Sequence, residues 1–313
     1  MIDKQHTMTH THIVYPEPPF DFFKTVGFSM YHKRRYGGEF FKEGIYSRLL
    51  TLKDNIVLVQ ARSLGTVNNP AVRIDLAAPK LSEEMKIFCQ CTMSRVLGGD
   101  RSVIPFYELA LQDKSLAPII KSFYGLRIPQ APNVFEALVT SILGQQISNQ
   151  IAKLLRTRLV DTLGPSVEIA GENYVAFPRP QDVVDAGFET LRKLSLSTRK
   201  SEYLIDLSNR LLSDDLQLEK MQNLSNTDLI QALTSFRGIG PWTAQWMLVR
   251  AFGRCDGFPF GDLALQRFMG QLINQGIRLG PKEALAVSER WIPYRSYFTT
   301  YIFAAGRVDG LKQ

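Results

Sequence analysis

The stretch Phe236-Arg237-Gly238-Ile239-Gly240-Pro241-Trp242-Thr243-Ala244 limits what this chain can fold into more than any other part of it. Two glycines flank one apolar residue between two segments of helical periodicity, so the chain reverses there within a few residues. Pro241 suits the first turn of the second helix, where its missing N–H is not needed. The product is a tight hairpin whose backbone N–H groups point outward at a helix N-terminus. Glycines let a ligand approach the main chain closely and the helix dipole adds positive potential, an arrangement suited to phosphate. Gly261-Asp262-Leu263 then places one carboxylate at the start of a new apolar stripe, Leu265, Phe268, Met269, Leu272 and Ile273. A phosphate grip followed by a single acid points to an enzyme that holds nucleic acid and works on it.

Two regimes of pattern surround that hairpin, and 313 residues are enough for two or three domains. From about Ile13 to Pro79 the pattern is strand-like. Ile45 to Leu52, a Lys53-Asp54-Asn55 turn, Ile56 to Arg62 and Val72 to Leu76 predict an antiparallel meander. Residues 1–12 are polar, lack the apolar core of a signal peptide and read as a flexible tail. His6, His10 and His12 lie on that tail, where no fixed geometry would hold a metal. From Leu81 onward helices dominate. One covers Asn133 to Leu143, and after Gly144-Gln145-Gln146 a stripe of Ile147, Ile151, Leu154, Leu155 and Leu159 runs to Gly164-Pro165. Another spans Glu202 to Leu212, and a third leads from Thr227 into the hairpin with Asn226 or Ser225 as its cap. The expected organisation is a tail over 1–12, an antiparallel β domain over 13–80 and a helical core over 81–313, with the hairpin motif at about 226–252.

A net charge of +7 fits a polyanionic partner, and no apolar run is long enough to cross a bilayer. Cys89, Cys91 and Cys255 are too few for a disulfide framework or a four-cysteine metal centre, which indicates an intracellular protein without an iron–sulfur cluster. Cys89 and Cys91 stand two apart in a helical pattern, face different ways, and read as buried thiols rather than a ligand pair. The run His32-Lys33-Arg34-Arg35 reads as a solvated loop, with a phosphate contact as its alternative.

At 100° per residue, Ala244, Met247, Leu248 and Ala251 share one stripe of the post-hairpin helix, and Trp242 and Trp246 stand together opposite. A helix buried on all sides is the plainer reading. Two tryptophans beside a phosphate-gripping turn favour a pocket instead, since aromatic faces are what an extruded base stacks on. Asp262 by position alone is a helix N-cap. The two roles are compatible: helix N-terminal donors fix a carboxylate in its ionised form, and a fixed anion beside an apolar pocket stabilises the cationic sugar that develops as a glycosidic bond breaks.

From about Gly125 to Gly306 the chain resembles the helix–hairpin–helix DNA glycosylase superfamily, most closely its alkylbase (3-methyladenine type II) branch. The resemblance rests on Gly125-Leu126-Arg127-Ile128-Pro129, on Ile142-Leu143-Gly144-Gln145-Gln146-Ile147-Ser148, on the hairpin itself, and on Trp291-Ile292-Pro293-Tyr294-Arg295-Ser296-Tyr297. Their order and the 20-residue spacing from Trp242 to Asp262 also match. It implies an α+β fold, with an N-terminal antiparallel β-sheet domain before a mostly helical core of two lobes. It further implies a monofunctional DNA glycosylase of base excision repair that flips out alkylated purines, of the 3-methyladenine and 7-methylguanine class, and hydrolyses the N-glycosidic bond.

By the same resemblance Asp262 is the catalytic aspartate, which stabilises the cationic sugar and helps orient or deprotonate the attacking water; Trp242, Trp246, Phe303 and Gln145 line the base pocket, and Gln146 is the duplex wedge. Arg237, Gly238, Ile239, Gly240 and Thr243 meet the DNA backbone, with a monovalent cation at the carbonyls near Gly238 and Gly240. No metal acts in catalysis and no cofactor is implied. The partner is damaged double-stranded DNA, met by a monomer in the cytoplasm or nucleoid, away from membranes. Trp242 stands where lyase relatives carry a Schiff-base lysine, so hydrolysis without strand cleavage follows. Leu263 replaces an aromatic residue after the acid. The alternatives are the same scaffold acting on oxidised or deaminated purines, and a non-catalytic helix–hairpin–helix DNA-binding protein.

Overall fold

Period-two alternation in the N-terminal region produces the meander. The computed structural model describes residues 8–31, 33–169, 171–213 and 218–309. In it β4 (Ile45–Leu52), β5 (Asn55–Ser63) and β6 (Val72–Ala78) pair antiparallel, with Leu49 opposite Leu58 and Val59 opposite Leu76. Two further strands, β2 (Arg35–Tyr36) and β3 (Glu39–Lys42), extend one side and β1 (Met8–Val14) the other, in the order β1-β6-β5-β4-β3-β2. Residues 8–12, expected as flexible tail, therefore form most of an edge strand. Its partners run from Met8 opposite Ala78 to Val14 opposite Val72. The backbone ladder holds such a strand whatever its side chains, which is why its polarity misled. His10 and His12 lie on it with ring centroids 6.0 Å apart, while His6 lies outside the described residues.

The β domain also outruns its expected end at residue 80. Tyr46, Leu50, Val57, Val59, Ile74 and Leu76 form one sheet face, which is covered by α1 (Phe22–Met30) and by α2 (Glu83–Leu97) through Met85, Cys89, Met93 and Val96. The apolar side of α2 buries against the sheet and α1, so this core runs on to Leu97. Burial pushes the Cys89 thiol up to about 12, whereas Cys91 is exposed, so only one of that pair is the expected buried thiol. Leu49 and Leu58 on the opposite face pack against Val167 and Ala176 of a hairpin, β7 (Ser166–Ile169) with β8 (Glu172–Val175). In the basic run, exposed Arg34 pairs with Glu172 and exposed Arg35 with Asp161, while His32 lies outside the described residues.

The helical part has two cores. One is built from α5 (Val134–Gly144), α6 (Asn149–Leu163), α7 (Pro180–Lys193), α8 (Thr198–Leu212), α9 (Asn226–Thr234) and α10 (Pro241–Arg250). The other gathers α3 (Ile104–Ala110), α4 (Ala117–Ser122), α11 (Leu263–Ile273), α12 (Pro281–Ser288) and α13 (Arg295–Asp309). Asn133, Ser148 and Ser225 cap α5, α6 and α9 through their side-chain oxygens. Helix α10 belongs to both cores: Ala244, Met247, Leu248 and Ala251 face the first, and Trp246 and Val249 the second. The seam between the lobes therefore runs along α10.

A buried ion cluster joins sheet and helices. Arg48 of β4 reaches Glu136 of α5 at 2.9 Å and Glu39 of β3 at 3.7 Å. Arg156 of α6 meets Glu136 at 2.9 Å and Glu39 at 3.4 Å, and the Tyr46 hydroxyl donates to Glu39 at 2.7 Å. Burial opposes the charge on Glu39, but the Arg156 and Arg48 guanidiniums outweigh it and hold the carboxyl below its ordinary range. Removing one member leaves buried charge uncompensated. Glu136→Gln should lower the free energy of urea unfolding by about 3–5 kcal/mol, far more than any exposed ion pair such as Lys53–Glu84 would.

Candidate functional site

The hairpin between α9 and α10 has the geometry its glycines suggested. Ile239 is buried and anchors the turn. Gly238 has φ 87, and a Cβ there would stand 2.5 Å from the Tyr203 ring, so no other residue fits. Gly240 has an ordinary φ of −96, and a Cβ added to it meets nothing within 4 Å. Neither backbone nor packing asks for glycine at 240; only an approaching ligand would. The N–H groups of Gly238, Gly240, Trp242 and Thr243 find no acceptor among the described residues, which leaves a cluster of unpaired donors at the start of α10.

Some neighbouring side chains differ from expectation. Arg237 is exposed and pairs at the surface with Glu202 at 2.7 Å, whereas the Thr243 side chain is buried and not presented to a DNA backbone. Gln145 Nε2 donates to the Gly238 carbonyl at 2.8 Å and to Thr243 Oγ1 at 3.1 Å. Both of its N–H bonds tie the α5–α6 loop to the hairpin rather than face a base pocket, leaving only Oε1 as a free acceptor. The two carbonyls expected to hold a cation both accept protein N–H groups, Gly238 from Gln145 and Gly240 from Ala244. Gln146 stands exposed in the α5–α6 loop with φ 56.

Asp262 caps α11 and does more. Its Oδ1 accepts from the backbone N–H of Ala264 at 2.9 Å and of Leu265 at 3.0 Å. Its Oδ2 accepts from the indole N–H of Trp242 at 3.0 Å and of Trp246 at 3.2 Å. Four donors thus meet the roughly four lone-pair sites of one carboxylate. The capping reading holds, and both tryptophans meet the acid by their indole edges. So held, the carboxylate is fixed in orientation, which suits electrostatic stabilisation of a positive charge developing beside it. Leu263 beside it is exposed.

Phe303 is a correction. It is buried, edge-on to Trp246 at 5.4 Å and to Phe268 at 5.6 Å, and fills the core behind the tryptophan instead of offering a stacking face. A cationic group continues from it that sequence reasoning missed. Arg307, one turn on along α13, lies 5.4 Å over Phe303 and 4.1 Å over Tyr31, and Lys153 of α6 sits 3.6 Å over the same Tyr31 ring. The i, i+4 relation of Phe303 and Arg307 was visible in the sequence, but their meeting with α1 and α6 needed the packing. Among the described residues no set of three His, Cys, Asp or Glu could hold a metal ion, and no helix is long and apolar enough to cross a membrane.

Burial, with Arg307 and Lys33 nearby, brings the Lys153 ammonium from 10.5 down to about 8. A lysine whose folded value is depressed destabilises the fold at pH below that value, and the penalty fades as pH rises from about 8 towards 10.5. Lys153→Met should therefore raise the unfolding midpoint at pH 7, with the gain shrinking at pH 10. Urea denaturation at the two pH values checks it, and an equal effect at both would sink the electrostatic account.

Residues 139–293 match the family described as HhH-GPD superfamily base excision DNA repair protein. The chain is 34% identical over 204 residues to a DNA-3-methyladenine glycosylase of Bacillus subtilis (strain 168), a span of 65% of this chain and 67% of that protein. It is 28% identical over 288 residues to DNA-3-methyladenine glycosylase 2 of Escherichia coli (strain K12), covering 92% of this chain and 94% of the other. The solved 3-methyladenine DNA glycosylase from Archaeoglobus fulgidus shares the fold with a TM-score of 0.83 at 23% identity, over 95% of this chain and 98% of that one. With the glycine hairpin and its acid in place along the same stretch, the chain belongs to the HhH-GPD superfamily.

Proposed function

We propose that this protein is a monofunctional DNA glycosylase of base excision repair that releases alkylated purines from damaged duplex DNA. The observation that carries the reading is the Asp262 carboxylate, held by two backbone and two indole N–H groups at the seam between lobes, next to the unpaired donors of the hairpin. The names of the relatives, DNA-3-methyladenine glycosylases, support the substrate class.

In this reading the hairpin N–H groups take a DNA phosphate and Gln146 fills the gap left by the flipped nucleotide. A ring-alkylated purine is already cationic, so it leaves with the electron pair of the C1′–N bond and becomes neutral without an acid to protonate it. The faces of Trp242 and Trp246 favour such a cation at about 0.5–2 kcal/mol each. Asp262 stabilises the positive sugar that remains, water adds at C1′, and its proton goes to solvent. No lysine stands at position 242, so the step is written with water alone as nucleophile. The reading places the enzyme where DNA is, as a monomer.

Two variants separate chemistry, binding and folding. Asp262→Asn keeps a helix-capping oxygen but loses the charge. Single-turnover release of 7-methylguanine should fall roughly a hundred- to a thousand-fold while duplex binding stays within about threefold. Unchanged release would remove Asp262 from catalysis. Gly240→Ser should hold or raise the melting temperature, because serine is a good N-cap, yet weaken duplex affinity about tenfold by placing a Cβ where the phosphate comes in. Affinity at the wild-type level would show that nothing approaches there.

A further inference from the structure

Lys200 is buried, with 8% of its surface exposed, and lies in the first turn of α8. Its placement is doubly unfavourable. An ammonium out of water is costly, and a cation near a helix N-terminus opposes that helix's dipole. Burial pushes it below its ordinary lysine value, and no carboxylate pairs with it among the described residues. What it does have is the other end of another helix. Its Nζ donates to the Leu143 carbonyl at 2.7 Å and to the Gln145 carbonyl at 2.9 Å. The first lies in the last turn of α5, where a cation is favoured; the second lies past the helix end, in the α5–α6 loop.

A simple cap for α5 would need only the first contact, and a glycine would terminate the helix at less cost. The second contact fixes the peptide that leads into Gln146, whose φ of 56 is a left-handed conformation rarely held by a residue with a side chain. Such a conformation persists only where the surroundings over-determine it. Here the main chain of Gln145 is held by Lys200 from α8, and its side chain by the hairpin through Gly238 and Thr243. Held on two sides, the loop leaves Gln146 as its free, exposed tip.

We propose that Lys200 is a positioning residue that presets the α5–α6 loop for insertion into the duplex, so that Gln146 enters without first being ordered. This rests on the glycosylase reading above. It assigns Lys200 a share in opening the base pair and none in breaking the glycosidic bond.

The test measures single-turnover release of 7-methylguanine by full-length Lys200→Met from two duplexes, one with the lesion opposite cytosine and one with it as an unpaired one-nucleotide bulge. Release from the paired site should slow about 10–100-fold, the scale of a small misplacement. Release from the bulge should slow less than about 3-fold, because little pairing remains to be broken. Adding Gln146→Ala should slow the paired reaction no further than the slower single variant, since both changes act through one loop. If Lys200→Met does not fold, Lys200→Gln, which keeps a donor for one carbonyl, serves for the same comparison. Equal slowing on both duplexes, or additive slowing in the double variant, would overturn the positioning role and leave a structural cap. A wild-type protein that frees no base from either duplex would bring down the glycosylase reading and this inference with it, an outcome distinct from normal wild-type release with uniform losses.

Discussion

The buried cluster of Glu39, Arg48, Glu136 and Arg156 is the constraint on which the rest of the architecture hangs. Two acids and two guanidiniums from β3, β4, α5 and α6 meet in a region all but sealed from water. Apolar residues of similar volume would be expected to stabilise such a site as well or better, so bulk stability is a poor reason for the charges. Geometry is a better one. Hydrogen bonds have directions: both Glu136 oxygens accept from Arg48 Nη2, and Oε1 accepts from Arg156 Nη2 as well. These contacts fix α5 and α6 in relation to the sheet and to each other. The loop between those helices is the one that carries Gln145 and Gln146, so the N-terminal sheet works as the abutment against which that loop is set.

The second constraint lies along α10. One helix supplies apolar residues to one lobe, Trp246 and Val249 to the other, unpaired N–H groups at its start, and two indole donors to the acid of α11. Asp262 is held by groups that also serve the fold: two of its four partners are the orphan N–H groups that any N-cap would satisfy. The charge is therefore preorganised at almost no separate cost. Positive charge developing nearby would meet a carboxylate already oriented, with little reorganisation left to do.

Much of this was legible in the sequence, and what was not has physical causes. Alternation gave β4, β5 and β6 with ends within a few residues, helical periodicity gave α5, and a cap residue gave α9, because those signals are local. The 20-residue spacing from Trp242 to Asp262 and the shared face of Trp242 and Trp246 were also readable, although not that the indole edges would meet the acid. Edge strand β1 escaped because its ladder with β6 is made by the backbone and leaves no apolar signature. The end of the β domain was misplaced because α2 reads as a helix, and helical pattern does not say which neighbour is covered. Gln145 and Phe303 were assigned by position in a motif, while their side chains answer to Gly238 and the Phe268 core. Lys200 and the Lys153–Tyr31–Arg307 group depend on contacts between helices far apart in the chain.

Glycines give an independent view of the same surface. At Gly238 the left-handed φ and the Tyr203 ring each exclude a side chain. Gly144, Gly240 and Gly261 differ: none has a left-handed φ, and a Cβ on any of them meets no atom within 4 Å. Glycine costs conformational entropy on folding, and where neither backbone nor packing demands it the open space it leaves is free for a ligand to approach. The three stand at the end of α5 beside the wedge loop, at the tip of the hairpin, and immediately before Asp262. On the proposed reading these are the segments that a bent duplex with one nucleotide swung out would press against. A protein-only account leaves three unneeded glycines on three separate segments, whereas one ligand lying across loop, hairpin and acid accounts for them together.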